Sequence, residues 1–136
     1  MEGDGPWLSF TGQVATGKGE AVGFTSAPWA RAAFVDLVGI DPFPGTLNLI
    51  VMGGDDQAAW ARLRASGGRL MTPPDPSWCA GRLFTVLLAD RVEGAIIVPE
   101  VADYAGDQVE IIAAVNLRAT LGVGDGDPVL VSGPAA

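Results

Sequence analysis

Apolar and polar residues alternate through WLSFTGQVA at positions 7–15, and this period of two predicts a first strand. A glycine-rich turn at 16–20 follows, then a second short strand near 21–25. Ser26-Ala27-Pro28 reads as a helix start, with Ser26 as N-cap and Pro28 in the first turn. The helix is predicted over 28–38, with Phe34, Leu37 and Val38 on one face and Gly39 ending it. A rigid Asp-Pro-Phe-Pro-Gly turn leads into a strand at 46–52, and a second helix at 56–65 turns Trp60 and Leu63 inward. Residues 66–80 read as a glycine- and proline-rich loop. Two apolar strands at 82–90 and 94–99 flank a turn at 91–93; a loop, a strand at 109–113 and a short helix at 117–121 come next. The turn Gly124-Asp125-Gly126-Asp127 precedes a last strand at 129–131, and 132–136 reads as a frayed tail.

Nineteen glycines and ten prolines among 136 residues imply many tight turns, hence short strands closely joined rather than a helical bundle. The length suits one domain, 1–136, with a core of its own. The order helix, Leu-x-Gly-Ile, Asp-bearing turn, strand at 34–49 echoes helix, Leu-Gly-Val, Asp-bearing turn, strand at 117–131. Two intertwined β-β-α-β halves closing a small barrel would produce that echo, and closure would remove exposed edges. Helix–glycine–turn–strand junctions of any α/β protein would produce it too. The expected class is therefore mainly β with short helices, an α/β barrel.

The net charge of −8 argues against nucleic acid, which would want a basic face. No apolar run reaches the roughly 20 residues that span a bilayer, and the N-terminus is acidic without a basic leader region, so a cytoplasmic location is expected. There is no histidine, which excludes imidazole-based catalysis, and the lone Cys79 cannot form an internal disulfide. Chemistry here must rest on carboxylates, backbone amides, a hard metal ion or positioning.

Four stretches could carry it. In Thr16-Gly17-Lys18-Gly19-Glu20 two glycines let the backbone approach an anion and Lys18 adds a mobile charge, although a plain hairpin turn explains the same residues. In Pro42-Phe43-Pro44-Gly45-Thr46-Leu47-Asn48 the strand period sets Thr46 and Asn48 on one face, as two neutral oxygen ligands for Mg²⁺ and phosphate or as a solvated polar pair. Glu110 opens an apolar strand; facing inward it needs a partner, facing outward it is solvated. Asn116-Leu117-Arg118 offers amides and a guanidinium for phosphate, or a surface arginine.

The runs Gly17-x-Gly19-Glu20, Phe34-x3-Val38-Gly39-Ile40-x-Pro42-Phe43-Pro44-Gly45-Thr46-Leu47-Asn48, Gly94-Ala95-Ile96-Ile97-Val98-Pro99, Glu110-Ile111-Ile112-Ala113, Leu117-Arg118 and Asp125-Gly126-Asp127 resemble, in order and spacing, the archaeal-type CTP-dependent riboflavin kinases. The resemblance covers nearly the whole chain. It implies a six-stranded cradle-loop barrel, like riboflavin synthase, that transfers phosphate from CTP to the ribityl 5′-hydroxyl of riboflavin, giving FMN and CDP. It implies that Thr46 and Asn48 bind Mg²⁺, and that Gly17, Lys18, Gly19, Glu20, Ala21, Val22 and Gly23 with Val115, Asn116, Leu117 and Arg118 hold the cytidine nucleotide. Glu110 would contact the flavin and orient or deprotonate its hydroxyl, and Ala102 aligns with a flavin-contacting threonine. Other departures are Ala21 for glycine, Asp103-Tyr104 for an aromatic-or-histidine pair, Ala114 for proline and Ala119 for an acidic residue. A barrel that binds nucleotide or flavin without transfer, or an interaction protein meeting its partner around Trp60 and Trp78, are the alternatives. Oligomeric state is not readable.

Overall fold

The structure, a computed structural model, describes residues 7–16, 25–102, 104 and 106–135. Strand β1 (Trp7–Val14) follows its sequence pattern: Leu8, Phe10, Gly12 and Val14 are buried, and Trp7, Ser9, Thr11 and Gln13 alternate with them on the other face. Beyond it come α1 (Pro28–Val38), β2 (Leu47–Ile50), α2 (Gly54–Ala65), β3 (Arg69–Met71), β4 (Gly81–Leu88), β5 (Val92–Pro99), β6 (Gln108–Ile112), α3 (Leu117–Leu121) and β7 (Pro128–Pro134).

The strands pair antiparallel in the order β4-β5-β6-β2-β1-β7, and β7 returns to β4 through Leu87↔Ser132 and Leu88↔Val131. That last pairing closes a six-stranded barrel. β3 lies outside the ring, on the first three residues of the β4 edge that β7 uses at its other end. The barrel is tight where β1 crosses β2: a Cβ on Gly12 would stand 2.8 Å from the Cβ of Leu49, so only glycine fits there.

Alternation along each strand sorts the apolar residues into two cores. Phe10, Leu49, Leu88, Ile96, Val109, Ile111 and Val131 fill the barrel. α2 plugs one end with Trp60, whose ring lies 5.7 Å from Phe10 and 5.9 Å from Phe84. On the outer face α1 lays Ala30 and Phe34 into a second cluster with Met71, Leu83, Ala95, Ile97 and Ile112.

Several boundaries differ from the sequence pattern. α1 has the expected span, but its N-cap is Ala27 without a side-chain bond, not Ser26. Gly39 ends it in the left-handed region, at φ 71°, as expected. The turn between β4 and β5 lies at Ala89-Asp90-Arg91 rather than 91–93, because Val92 and Glu93 join the ladder opposite Leu88 and Leu87. The loop 66–80 contains β3. Ser132, Gly133 and Pro134 are not frayed: they pair with Ser9, Leu8 and Trp7, which otherwise leave an open edge, and the Ser9 and Ser132 hydroxyls meet at 2.9 Å. The strand expected over 21–25 falls mostly outside the described residues, and Thr25 itself lies in a helical turn. Both echoed helices, α1 and α3, end on a left-handed glycine, and the strands after them, β2 and β7, flank β1. Among the described residues no helix is long and apolar enough to cross a membrane.

Candidate functional site

β2 and β6 pair with Asn48 directly opposite Glu110. Leu47, Leu49, Val109 and Ile111 point into the barrel, so Asn48 and Glu110 share its outer face, together with Thr46 just before β2. Glu110 is fully buried there. The Thr46 hydroxyl donates to its Oε1 at 3.3 Å, the Tyr104 hydroxyl to its Oε2 at 2.7 Å, and the Gln108 amide to the same oxygen at 3.4 Å. Glu110 therefore does not sit on a solvated face. Its outward direction is covered by the loop that carries Tyr104, whose ring lies 5.9 Å under the Arg64 guanidinium.

Asn48 adds an unusual feature. Its Oδ1 is buried with no hydrogen-bond partner among the described residues. An orphaned buried acceptor costs about 1–3 kcal/mol unless a ligand satisfies it. Hydroxyl, carboxamide and carboxylate oxygens on one face suit a hard divalent cation such as Mg²⁺. A single carboxylate is too little charge for a closed protein cage, so such an ion would keep water or ligand phosphate among its neighbours.

Beside Thr46 a cleft of about 200 Å³ opens between the turn Phe43-Pro44-Gly45 and the stretch from Ala113 to Arg118. Gly45 adopts φ 95°, which a side chain would resist. Two bonds hold the turn: the Phe43 amide donates to the Ala113 carbonyl at 2.7 Å, and the Gly45 amide to the Thr25 hydroxyl at 3.2 Å. The volume accommodates a phosphate or part of a nucleotide. Arg118 lines the cleft and pairs with Asp125 at 2.7 Å; the Thr16 hydroxyl donates to the other Asp125 oxygen at 3.1 Å. The Arg118 bond foremost, then that from Thr16, holds the Asp125 carboxyl below the usual carboxylate range.

Thr46, Val115, Asn116, Leu117 and Arg118 thus line one cleft, and Asn48 and Glu110 adjoin it through Thr46. Asn116 is the N-cap of α3, its Oδ1 accepting from the Ala119 amide at 3.1 Å. Gly17, Lys18, Gly19, Glu20, Ala21, Val22 and Gly23 lie outside the described residues; Thr16, just before them, is tied to Asp125 at the edge of the cleft. Ala102 is exposed in the turn after β5. Trp60, considered above as an interface residue, is buried in the barrel. Sequence reasoning missed Gln108, which the same period of two that places Glu110 would have put beside it, and Thr25, for which no sequence signal exists.

The fold and site define a small closed barrel with a cleft beside a buried carboxylate. The family model CTP-dep_RFKase, described as "Domain of unknown function DUF120", matches residues 14–132. A riboflavin kinase of Aeropyrum pernix is 39% identical over 122 residues, covering 88% of this chain and 91% of that protein. Riboflavin kinases of Methanosarcina barkeri and Archaeoglobus fulgidus are 31% and 32% identical over 91% and 88% of this chain, which spans 56% and 52% of their lengths. The chain belongs to the CTP-dependent riboflavin kinase family.

Proposed function

We propose that this chain transfers the terminal phosphoryl group of CTP to the 5′-hydroxyl of riboflavin, giving FMN and CDP. The observation that carries the reading is the buried Glu110 beside Thr46 and the Asn48 Oδ1, which has no partner among the described residues, next to a cleft lined by Arg118. Phosphoryl transfer asks mainly for positioning and charge stabilisation, so a chain without histidine can perform it. The bond from the ribityl oxygen to the γ-phosphorus forms as the bond from that phosphorus to the β–γ bridging oxygen breaks.

Thr46 and Asn48 would hold Mg²⁺, which when bound offsets the negative charge of the nucleotide phosphates. Arg118, fixed by Asp125, faces the same phosphates. Glu110 orients the acceptor hydroxyl and takes its proton, while Tyr104 and Gln108 hold the carboxylate in place. Ala102 brings no hydroxyl to the flavin, so the ring must be held by other groups. Incubating the protein with riboflavin, Mg²⁺ and each nucleoside triphosphate in turn, with chromatography for FMN, tests the reading. CTP should give FMN and equimolar CDP, and Glu110→Gln should reduce the rate at least a hundred-fold. No FMN with any triphosphate would refute it.

A further inference from the structure

Trp78 is half exposed, and its ring lies 6.4 Å from that of Trp29 with the planes 28° apart. Leu70 and Val101 are exposed as well. Exposed aromatic surface held in a fixed stack is a feature of ligand-binding and interaction sites. We propose that Trp29 and Trp78 form the platform that holds the flat ring system of the flavin acceptor, a proposal that rests on the phosphoryl-transfer reading above.

Two routes through the fold connect this pair to Glu110. Trp29 stands in the first turn of α1, next to Ala30, which shares the outer cluster with Ile97 and Ile112. Glu110 lies two residues before Ile112 on the same face of β6, about 7 Å along the strand. One turn before Trp29, the Thr25 hydroxyl accepts the Gly45 amide beside Thr46. On the other side, the Ala80 carbonyl, two residues after Trp78, accepts the Glu100 amide. The next carbonyl, that of Val101, accepts from Tyr104, whose hydroxyl reaches Glu110.

Ile111, next to Glu110, is level through Ile96 with Phe84 of β4, two strand spacings or about 10 Å away. Trp78 lies in the loop six residues before Phe84, at the end of the sheet where the loop that carries Tyr104 also lies. A riboflavin with its 5′-hydroxyl at Glu110 would run toward that end, with its tricyclic ring at the indoles. An electron-poor flat ring stacks well on an indole face. With alanine at position 102, stacking supplies affinity that a hydroxyl there would otherwise add.

Trp78 is exposed, so Trp78→Ala should fold normally, and a melting temperature within about 2 °C of the parent verifies this. Riboflavin titrations followed by flavin fluorescence should show affinity for Trp78→Ala reduced roughly ten- to a hundred-fold, the scale of one lost aromatic stack. CDP affinity should be unchanged, and Trp78→Phe should retain most of the flavin affinity. In turnover, KM for riboflavin should rise while KM for CTP stays constant. Unchanged riboflavin affinity in Trp78→Ala would overturn the platform, as would absence of riboflavin binding by the parent protein. Light scattering that showed Trp78→Ala converting a dimer to a monomer, with flavin affinity intact, would assign the patch to a second copy instead. The two readings separate cleanly. Trp78-dependent flavin binding without FMN formation supports the platform and sinks the kinase, whereas FMN formation with KM unchanged in the variant sinks the platform alone.

Discussion

Removing the hydroxyl of Tyr104 probes the site with little disturbance to its packing. Tyr104→Phe keeps a ring that is 93% buried at the barrel rim and its contact with Arg64, but deletes the 2.7 Å bond to Glu110, the shortest of those described to that carboxylate. A hydrogen bond to a charged group is worth about 1.5–3 kcal/mol. Domains of this size unfold with an entropy near 2.1 cal/mol/K per residue, so the melting temperature should fall by about 5–10 °C. Scanning calorimetry measures that directly. In the FMN assay, kcat should drop roughly ten- to a hundred-fold as Glu110 loses its hold, with KM for CTP nearly unchanged. A melting point within about 1 °C of the parent and kcat within about twofold would refute the argument, showing that Tyr104 does not restrain Glu110.

Further outcomes follow from the geometry. Trp60→Ala should destabilise the protein by about 3–5 kcal/mol in urea unfolding, because it empties the barrel end between Phe10 and Phe84. Trp60→Phe should cost less, since the indole nitrogen has no hydrogen-bond partner to lose among the described residues. Asp125→Asn should raise KM for CTP by freeing Arg118 while leaving kcat close to the parent's, as steady-state kinetics would show. Because the Asp125 carboxyl is held below its ordinary value, its pairing with Arg118 is present above the unfolded value of about 3.9 and is lost as pH falls through the depressed one. The difference in melting temperature between parent and Asp125→Asn should therefore be level from pH 5 to 8 and vanish only in strong acid.

Local rules located most elements. Proline at the first turn and glycine at the end delimit α1 at 28–38, alternation marks β1, and apolar runs mark β4, β5 and β6. The Pro-Phe-Pro-Gly-Thr-Leu-Asn run identified its turn and the face shared by Thr46 and Asn48, because two prolines and a period of two leave little freedom. β3 escaped notice because three residues are too few for a periodic signal, and the extension of β7 to Pro134 because its order comes from β1, more than 120 residues away.

By itself the sequence determined that this is a small, turn-rich, mainly β domain and that its chemistry does without histidine. Composition and short-range periodicity suffice for those conclusions because they depend on backbone preferences that act over a few residues. The tertiary structure alone decided which way Glu110 faces, since a strand pattern buried on both sides carries no alternation to read. It also decided that Tyr104 and Gln108 reach that carboxylate, that Arg118 is held by Asp125 beside Thr46, and that Trp60 is core while Trp78 is surface. The direction of Glu110 and the burial of Trp60 depend on contacts between distant segments, set by the register and closure of the barrel; the bonds of Tyr104, Gln108 and Asp125 span only two to seven residues but need the loop geometry that the fold imposes.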